Sequence, residues 1–109
     1  MKLLIAGSRS IKEFDLSPYI TDDVDTILTG GADGIDKLAE KYADSHGIEK
    51  IIIKPNYTRF SRAAPLKRNE ELVRKCDKAL VIWDGKSKGS KYTADYARKL
   101  NKEVLVIDI

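Results

Sequence analysis

The sequence contains 109 residues, of which 42% are apolar and 34% are charged, and its formal net charge is +3. This length fits one domain, residues 1–109, which can form a stable hydrophobic core without disulfide bonds. The chain has a single cysteine, Cys76, so an internal disulfide is excluded. The mild charge disfavours a strongly basic nucleic-acid binder. The segment Lys2–Ala6 is too short for a signal sequence or a membrane span, so we expect a cytoplasmic protein.

The first predicted strand, residues 3–6, is apolar at every position, which is typical of a strand that is covered on both faces. It is followed by Gly7–Ser10, a small-residue loop whose hydroxyl and guanidinium groups are good donors to phosphate. The alternative interpretation is a polar turn with an exposed arginine. Further along, Ser17 is the predicted N-cap of a short helix that starts at Pro18.

A glycine-rich loop, Thr29–Asp36, follows the second predicted strand, residues 26–28, and precedes a helix whose apolar residues recur every three or four positions. Its paired glycines, Gly30 and Gly31, allow the backbone to approach a ligand closely because neither carries a Cβ. The free N–H groups of the next helical turn favour an anion there. The loop alone supports two interpretations equally: a phosphate-binding loop, and a tight turn that needs glycine only for its geometry.

Both ends of this helix carry favourable capping residues. Asp33 is the predicted N-cap, and the carboxylate of Asp36, three residues later, can bond back to the cap. Gly47 stands just past the end of the helix, where glycine is favoured. We expect His46 to be either packed at the end of the apolar face or a C-terminal helix histidine, since the chain has no second histidine to share a metal.

Residues 51–53 form the third predicted strand, and the long loop Pro55–Pro65 that follows combines aromatic side chains with arginines. Aromatic rings can stack on a base while arginines contact phosphates. The alternative is a loop that is anchored by its aromatic residues and has solvated arginines. A helix is predicted over residues 66–76, with Asn69 on its inward-facing stripe, where a polar amide needs a partner, and Arg68 beside it.

The fourth predicted strand, residues 79–83, leads into the loop Asp84–Ser90, which again combines glycine, serine and lysine ahead of a helix. That helix presents small residues to the sheet, so it can pack closely and place Ser90 and Thr93 near the loop. The fifth predicted strand covers residues 104–107.

Five strands that alternate with helices predict an α/β fold with a parallel sheet and helices on both of its faces. Right-handed crossovers and a Rossmann-like strand order of 3-2-1-4-5 place the tips of the first, second and fourth strands side by side. Each of these tips carries glycine, and sheets of this kind bind ligands where the strand order reverses. Neither a GxGxxG motif nor a Walker A motif is present. The sequence therefore predicts a nucleotide site of neither standard type.

Four motifs, in this order along the chain, resemble the SLOG superfamily, in particular its small single-domain YspA/YpsA-like branch. They are Gly7-Ser8-Arg9, the loop Thr29–Asp36, Arg62-Ala63-Ala64 with Arg68-Asn69, and Gly89-Ser90 with Thr93-Ala94. The Rossmann-like domain of DNA-processing protein A is similar in the same places. The resemblance covers nearly the whole chain and implies a Rossmann-like domain that binds nucleotides or nucleotide-derived ligands. It implies pocket roles for Gly30, Gly31, Arg68, Asn69, Gly89 and Ser90.

The chain departs from the family pattern at two positions. Asp33 stands where many relatives have an arginine, and a carboxylate there repels a phosphate. In the phosphoribohydrolase branch, a PGGxGTxxE motif carries an essential glutamate. When Thr93 is aligned with the threonine of that motif, Tyr96 occupies the glutamate position. The resemblance therefore does not carry that hydrolytic activity over to this chain.

These observations predict a protein that senses or sequesters a nucleotide or a nucleotide-derived small molecule, and they imply neither a cofactor nor a metal ion. The predicted ligand-binding residues are Gly7, Ser8, Arg9, Gly30, Gly31, Asp33, Gly34, Arg68, Asn69, Asp84, Gly85, Gly89, Ser90 and Thr93. The alternative is an enzyme that cleaves an N-glycosidic bond by hydrolysis or transfer, with Asp84, Glu70 and Asp95 as candidate carboxylates. A weaker alternative is binding of single-stranded DNA, although nucleic acid is not the expected partner. A homodimer is compatible with the sequence.

Overall fold

The computed structural model describes residues 1–109, which form five strands, four α-helices and two short 3-10 turns. The strands are β1 (Lys2–Gly7), β2 (Thr26–Thr29), β3 (Glu49–Ile52), β4 (Lys78–Trp83) and β5 (Glu103–Asp108). The helices are α1 (Ile35–Ser45), α2 (Tyr57–Phe60), α3 (Ala64–Lys75) and α4 (Lys88–Lys99), and the 3-10 turns are Ser17–Tyr19 and Ser61–Ala63. None of the helices combines the length and the apolar character that crossing a membrane requires.

The sheet has the order β3-β2-β1-β4-β5, and every neighbouring pair of strands is parallel. This confirms the predicted Rossmann-like α/β architecture and its strand order. β1 lies at the centre, where Leu4 pairs with Leu28 of β2 on one side and Ala79 of β4 on the other. The chain builds outward from β1 in both directions, so the carboxyl ends of β1 and β4 flank the point where the strand order reverses.

An apolar layer covers each face of the sheet because successive strand residues point to opposite sides. On one face, Ile35 of α1 and Leu16 of the segment between β1 and β2 pack in the same buried cluster. On the other face, Leu72 of α3 and Ala97 of α4 pack in a second cluster. Each fully buried large apolar side chain contributes roughly 1.5–3 kcal/mol. The helices on both faces are those that the sequence predicts.

Two predicted helix starts are wrong. The residue that precedes α1 is Gly34 rather than Asp33, and no side chain caps this end. The Asp36 carboxylate accepts a hydrogen bond at 3.1 Å from the N–H of Ala32, which is the residue before the predicted cap, Asp33. Ser17 is the first residue of a 3-10 turn and does not cap a helix. Gly34 has a φ of +73°, and the Ser17 hydroxyl is bonded to Asp15 at 2.7 Å, so local contacts override the capping preference in both segments.

The region predicted as the irregular loop 55–65 contains α2 and a 3-10 turn. Asn56 caps α2 by accepting a hydrogen bond from the Arg59 N–H at 3.1 Å. α3 begins at Ala64, two residues earlier than predicted, and its N-terminal part faces a cleft rather than the apolar core. As a result Leu66, predicted on the inner stripe, is 38% exposed, whereas Arg68 is only 7% exposed.

The C-terminal end of α1 follows the prediction. Gly47 adopts a φ of +64° immediately after His46, as a glycine at this position is expected to do. The His46 ring stacks on Tyr42 with 3.9 Å between ring centroids, and its Nδ1 lies 3.0 Å from the Tyr42 carbonyl oxygen. His46 is thus the C-terminal histidine of α1, one of the two roles that the sequence allows, and it stacks on Tyr42 while it remains exposed.

Candidate functional site

The main cavity, about 450 Å³, lies at the carboxyl edge of the sheet, between the loops that follow β1 and β4 and the N-terminal ends of α3 and α4. Only three of its 15 lining residues are hydrophobic, so it suits a polar ligand. The structure brings eight of the predicted residues to this cavity: Gly7, Arg9, Arg68, Asn69, Asp84, Gly89, Ser90 and Thr93.

A second cavity, the side cavity, has a volume of about 330 Å³ and adjoins the first one, because Arg9, Ala32 and Arg68 line both. The other residues that line it are Gly30, Gly31, Asp33, Lys54, Pro55 and Tyr57. The predicted site is therefore divided between two neighbouring cavities. Three predicted residues, Ser8, Gly34 and Gly85, line neither.

Ser8 is buried beneath the loops and joins them to one another. Its hydroxyl accepts a hydrogen bond from the Asp84 N–H at 3.0 Å, and its carbonyl oxygen accepts one from the Ile35 N–H at 3.4 Å. Its own N–H donates to the Ile82 carbonyl oxygen at 3.0 Å. Because these partners belong to β4, the loop after β4 and the start of α1, Ser8 fixes the relative positions of all three segments.

Several predicted glycines make room for other parts of the protein. A Cβ at Gly7, Gly30 or Gly34 would lie 2.4–2.5 Å from an atom of another residue, closer than folded proteins allow. At Gly30 that atom is Nη1 of Arg68, and at Gly34 it is the Ser8 carbonyl oxygen. These contacts favour the geometric interpretation of the glycine-rich loop for Gly30 and Gly34.

Gly89 differs from these glycines. The nearest atom to a Cβ built there is Nδ2 of Asn69, at 4.0 Å, so nothing in the protein requires glycine at this position for space. Its φ is also not in the left-handed region, in contrast to Gly31 and Gly85, whose φ values are +73° and +80°. The missing side chain leaves the first turn of α4 accessible from the main cavity, which Gly89 lines.

Arg68 binds the glycine-rich loop through its guanidinium group. Its Nη1 donates to the Gly30 carbonyl oxygen at 2.6 Å and, more weakly, to the Ile53 carbonyl oxygen at 3.4 Å. Its Nε donates to Oδ1 of Asn69 at 2.7 Å. Nη2 makes no hydrogen bond within the protein, and it belongs to a side chain that lines both cavities. Asn69 thus orients the arginine, and the arginine anchors the loop.

Asp36 is the anionic counterpart of Arg68 in the floor of the main cavity. It is only 6% exposed, and burial raises the pKa of its carboxyl group, while the Ala32 N–H and the charge of Arg68 oppose that rise. Burial likewise lowers the pKa of Arg68, and the carboxylate of Asp36 opposes that change. Each group therefore favours the charged form of the other, although they do not form a direct salt bridge.

The first turn of α4 offers unpaired backbone donors to the main cavity. The Ser87 side chain caps the helix by accepting a hydrogen bond from the Ser90 N–H at 3.3 Å. The N–H groups of Lys88 and Gly89, the first two residues of the helix, make no hydrogen bond within the protein. Free N–H groups and the helix dipole together favour an anion at this end of a helix.

The three candidate carboxylates of the enzyme hypothesis differ in position. Asp84 lines the main cavity, but N–H groups of Lys86 and Ser87 and the Ser10 hydroxyl hold the pKa of its carboxyl group far below the usual range, so it is a poor proton donor. The other two carboxylates do not line either cavity. Glu70 accepts a hydrogen bond from the Tyr92 hydroxyl, and Asp95 is bonded to Lys91 at 2.7 Å.

Five polar residues line the cavities but are not among the predicted ligand-binding residues: Ser10, Asp36 and Ser87 in the main cavity, and Lys54 and Tyr57 in the side cavity. Ser10 and Ser87 lie in loops that the sequence predicts at strand ends, so their loop positions could have identified them as cavity residues. The mixture of aromatic residues and arginines in segment 55–65 could have identified Tyr57. Lys54 follows β3, an outer strand that is not adjacent to β1. The sequence therefore does not predict that Lys54 lies near the loop after β1.

Comparisons of the chain with protein-family models, with curated proteins and with solved structures find no match. A Rossmann-like fold hosts many unrelated functions, so the fold alone does not select one. The functional inference therefore depends on the chemistry of the two cavities.

Proposed function

We propose that this protein binds a nucleotide or a nucleotide-derived small molecule in the main cavity, with a phosphate group at the N-terminal end of α4, and that it senses or sequesters this ligand. The observation that carries the proposal is the pair of free N–H groups on Lys88 and Gly89 in the first turn of α4, of which Gly89 lines the cavity. A phosphate oxygen is a natural acceptor for such groups.

The surroundings of this helix end support an anionic ligand. The guanidinium groups of Arg9 and Arg68 line the same cavity, and Nη2 of Arg68 is free to donate a hydrogen bond. Hydroxyl groups of Ser90 and Ser10 and the amide of Asn69 add donors and acceptors that suit a ribose or the edge of a base. The polar lining disfavours an apolar ligand.

Binding without catalysis has better support than cleavage of an N-glycosidic bond. That reaction needs a carboxylate that can exchange a proton near the ribose. Asp84 lies in the cavity but is held in its ionised form by three hydrogen bonds, and Asp36 is engaged with the Ala32 N–H and the charge of Arg68.

Isothermal titration calorimetry with the four ribonucleoside 5′-monophosphates tests the proposal. We expect at least one of them to bind the wild-type protein, and Gly89→Asp to weaken its binding by about tenfold or more, because a carboxylate in this turn competes with the phosphate. The fold should persist, since an acidic residue in the first turn of a helix is favourable.

Asn101→Asp is the matched control. It changes the net charge by the same amount at the opposite end of α4, where Asn101 already has a φ of +60° that aspartate tolerates. We expect nucleotide affinity to change less than about twofold in this variant, since the affected charge is exposed and distant. The proposal is wrong if no nucleotide binds the wild-type protein, or if Gly89→Asp binds the same nucleotide as tightly as the control does.

A further inference from the structure

The side cavity carries an excess of positive charge. Its lining includes three cationic side chains, those of Arg9, Lys54 and Arg68, and one carboxylate, that of Asp33. Two of these cations come from loops that follow different strands, β1 and β3, and the third comes from α3. The fold therefore brings three positive charges from distant parts of the sequence to one concave surface.

None of the three cations is neutralised by a direct partner. The ion pairs of the protein involve other lysines and arginines, and neither Arg9, Lys54 nor Arg68 forms one. Arg9 also lies close enough to Arg68 to help lower the pKa of the buried guanidinium, although burial itself is the larger cause. Two like charges that face one cavity gain from an anion placed between them.

Arg68 presents one guanidinium nitrogen to a ligand here. Nε and Nη1 are bonded to Asn69 and to backbone carbonyl oxygens, whereas Nη2 has no hydrogen-bond partner in the protein and remains accessible from outside. Because Arg68 lines both cavities, a ligand that extends from the main cavity into the side cavity passes directly over this guanidinium.

We infer that the side cavity is a second anion subsite, and that the ligand of this protein is a nucleotide with a second phosphate, as in a nucleoside bisphosphate or a dinucleotide. This inference rests on the proposed function, since the first phosphate occupies the end of α4. Among the three cations, only Lys54 lines the side cavity without lining the main cavity, so its substitution distinguishes the two subsites.

Tyr57 separates the two kinds of ligand that share this chemistry. Its side chain lines the side cavity and is 59% exposed, so one face of the ring is free to stack on a base. Such stacking contributes about 1–3 kcal/mol per base. A dinucleotide would use the ring for its second base, whereas a nucleoside bisphosphate has no second base to place there.

Calorimetry with three probes tests the inference: a ribonucleoside 5′-monophosphate, the corresponding 3′,5′-bisphosphate, and a dinucleotide with a 5′-phosphate. We expect one of the two probes that carry a second phosphate to bind the wild-type protein about tenfold tighter than the monophosphate does. Lys54→Ala should remove most of that advantage and change monophosphate affinity less than about twofold, because the first phosphate does not reach Lys54. Tyr57→Ala should weaken the dinucleotide alone.

Lys41→Ala is the control for a general loss of positive charge, since Lys41 is an exposed lysine of α1 that lines neither cavity. The second subsite is refuted if the monophosphate binds as tightly as both larger probes, or if Lys54→Ala and Lys41→Ala reduce their affinity equally. In either case monophosphate binding persists and the proposed function stands. Failure of every nucleotide to bind the wild-type protein would refute both.

Discussion

Replacing Arg68 with methionine tests whether this arginine anchors the glycine-rich loop. Arg68→Met keeps most of the aliphatic volume but leaves the Gly30 carbonyl oxygen and the Asp36 carboxylate without their cationic partner. Losing the charged hydrogen bond to the Gly30 carbonyl oxygen costs about 1.5–3 kcal/mol, and the buried Asp36 carboxylate also loses the favourable charge of Arg68. We therefore expect a loss of about 3 kcal/mol, or about 12 °C in Tm for a domain of this size.

The penalty should depend on pH. Without the charge of Arg68, the pKa of Asp36 rises further above the usual range of a carboxyl group. A carboxyl group whose folded pKa exceeds its unfolded pKa binds more protons in the folded state, so the variant gains stability as the pH falls through the folded pKa of Asp36. The difference in unfolding free energy between wild type and variant should therefore be larger at about pH 7 than at about pH 4.5.

Thermal and urea unfolding followed by circular dichroism measure both effects. Arg62→Met is the control, because Arg62 is an exposed arginine in the segment before α3; we expect it to change stability by less than about 0.5 kcal/mol. If Arg68→Met melted within about 2 °C of wild type and lost nucleotide affinity instead, the arginine would be a ligand contact and not the anchor of the loop.

Two further predictions concern neighbouring positions. Gly30→Ala should destabilise the protein by about 2 kcal/mol, as measured by urea unfolding, because the new Cβ would lie 2.4 Å from Nη1 of Arg68 and displace it; unchanged stability would contradict this contact. Asp84→Asn should destabilise the protein at neutral pH, and the difference from wild type should shrink as the pH falls below about 4, since a lowered folded pKa gives stability that is lost in acid. A difference that stays constant from neutral pH to about pH 2 would show that the carboxylate charge is not responsible.

The sheet could be predicted from the sequence because each inner strand is a continuous apolar run between turn-forming residues. Prediction is poorest for β3, the outer strand beside β2. Its observed range, Glu49–Ile52, begins two residues before the predicted one, since Glu49 is set by its backbone pairing with Thr26 and not by hydrophobicity. On an outer strand, a charged side chain can remain in solvent while its backbone pairs with the neighbouring strand. The apolar run in the sequence is therefore shorter than the pairing range and does not predict where the strand begins.

The residue types of the candidate site could be predicted, but their division of roles could not. The sequence analysis places both Arg68 and Asn69 in the ligand pocket without separating their roles, and the structure has Arg68 bonded to the loop and Asn69 bonded to Arg68. Near the cleft, the inner side of α3 is polar, so hydrophobic periodicity no longer reports which side chain points inward. The pattern likewise does not distinguish Gly30, which makes room for a side chain, from Gly89, which leaves open space.

The bonds of Ser8 also bear on the dynamics of the cleft. Ser8 is bonded to β4, to the loop after β4 and to the start of α1. These segments around the main cavity therefore cannot move apart on one side without breaking hydrogen bonds on another. The Asp84 and Ile35 amide hydrogens should then exchange with solvent as part of one cooperative unit. Segments joined in this way are already ordered before a ligand binds, so binding costs little further conformational entropy.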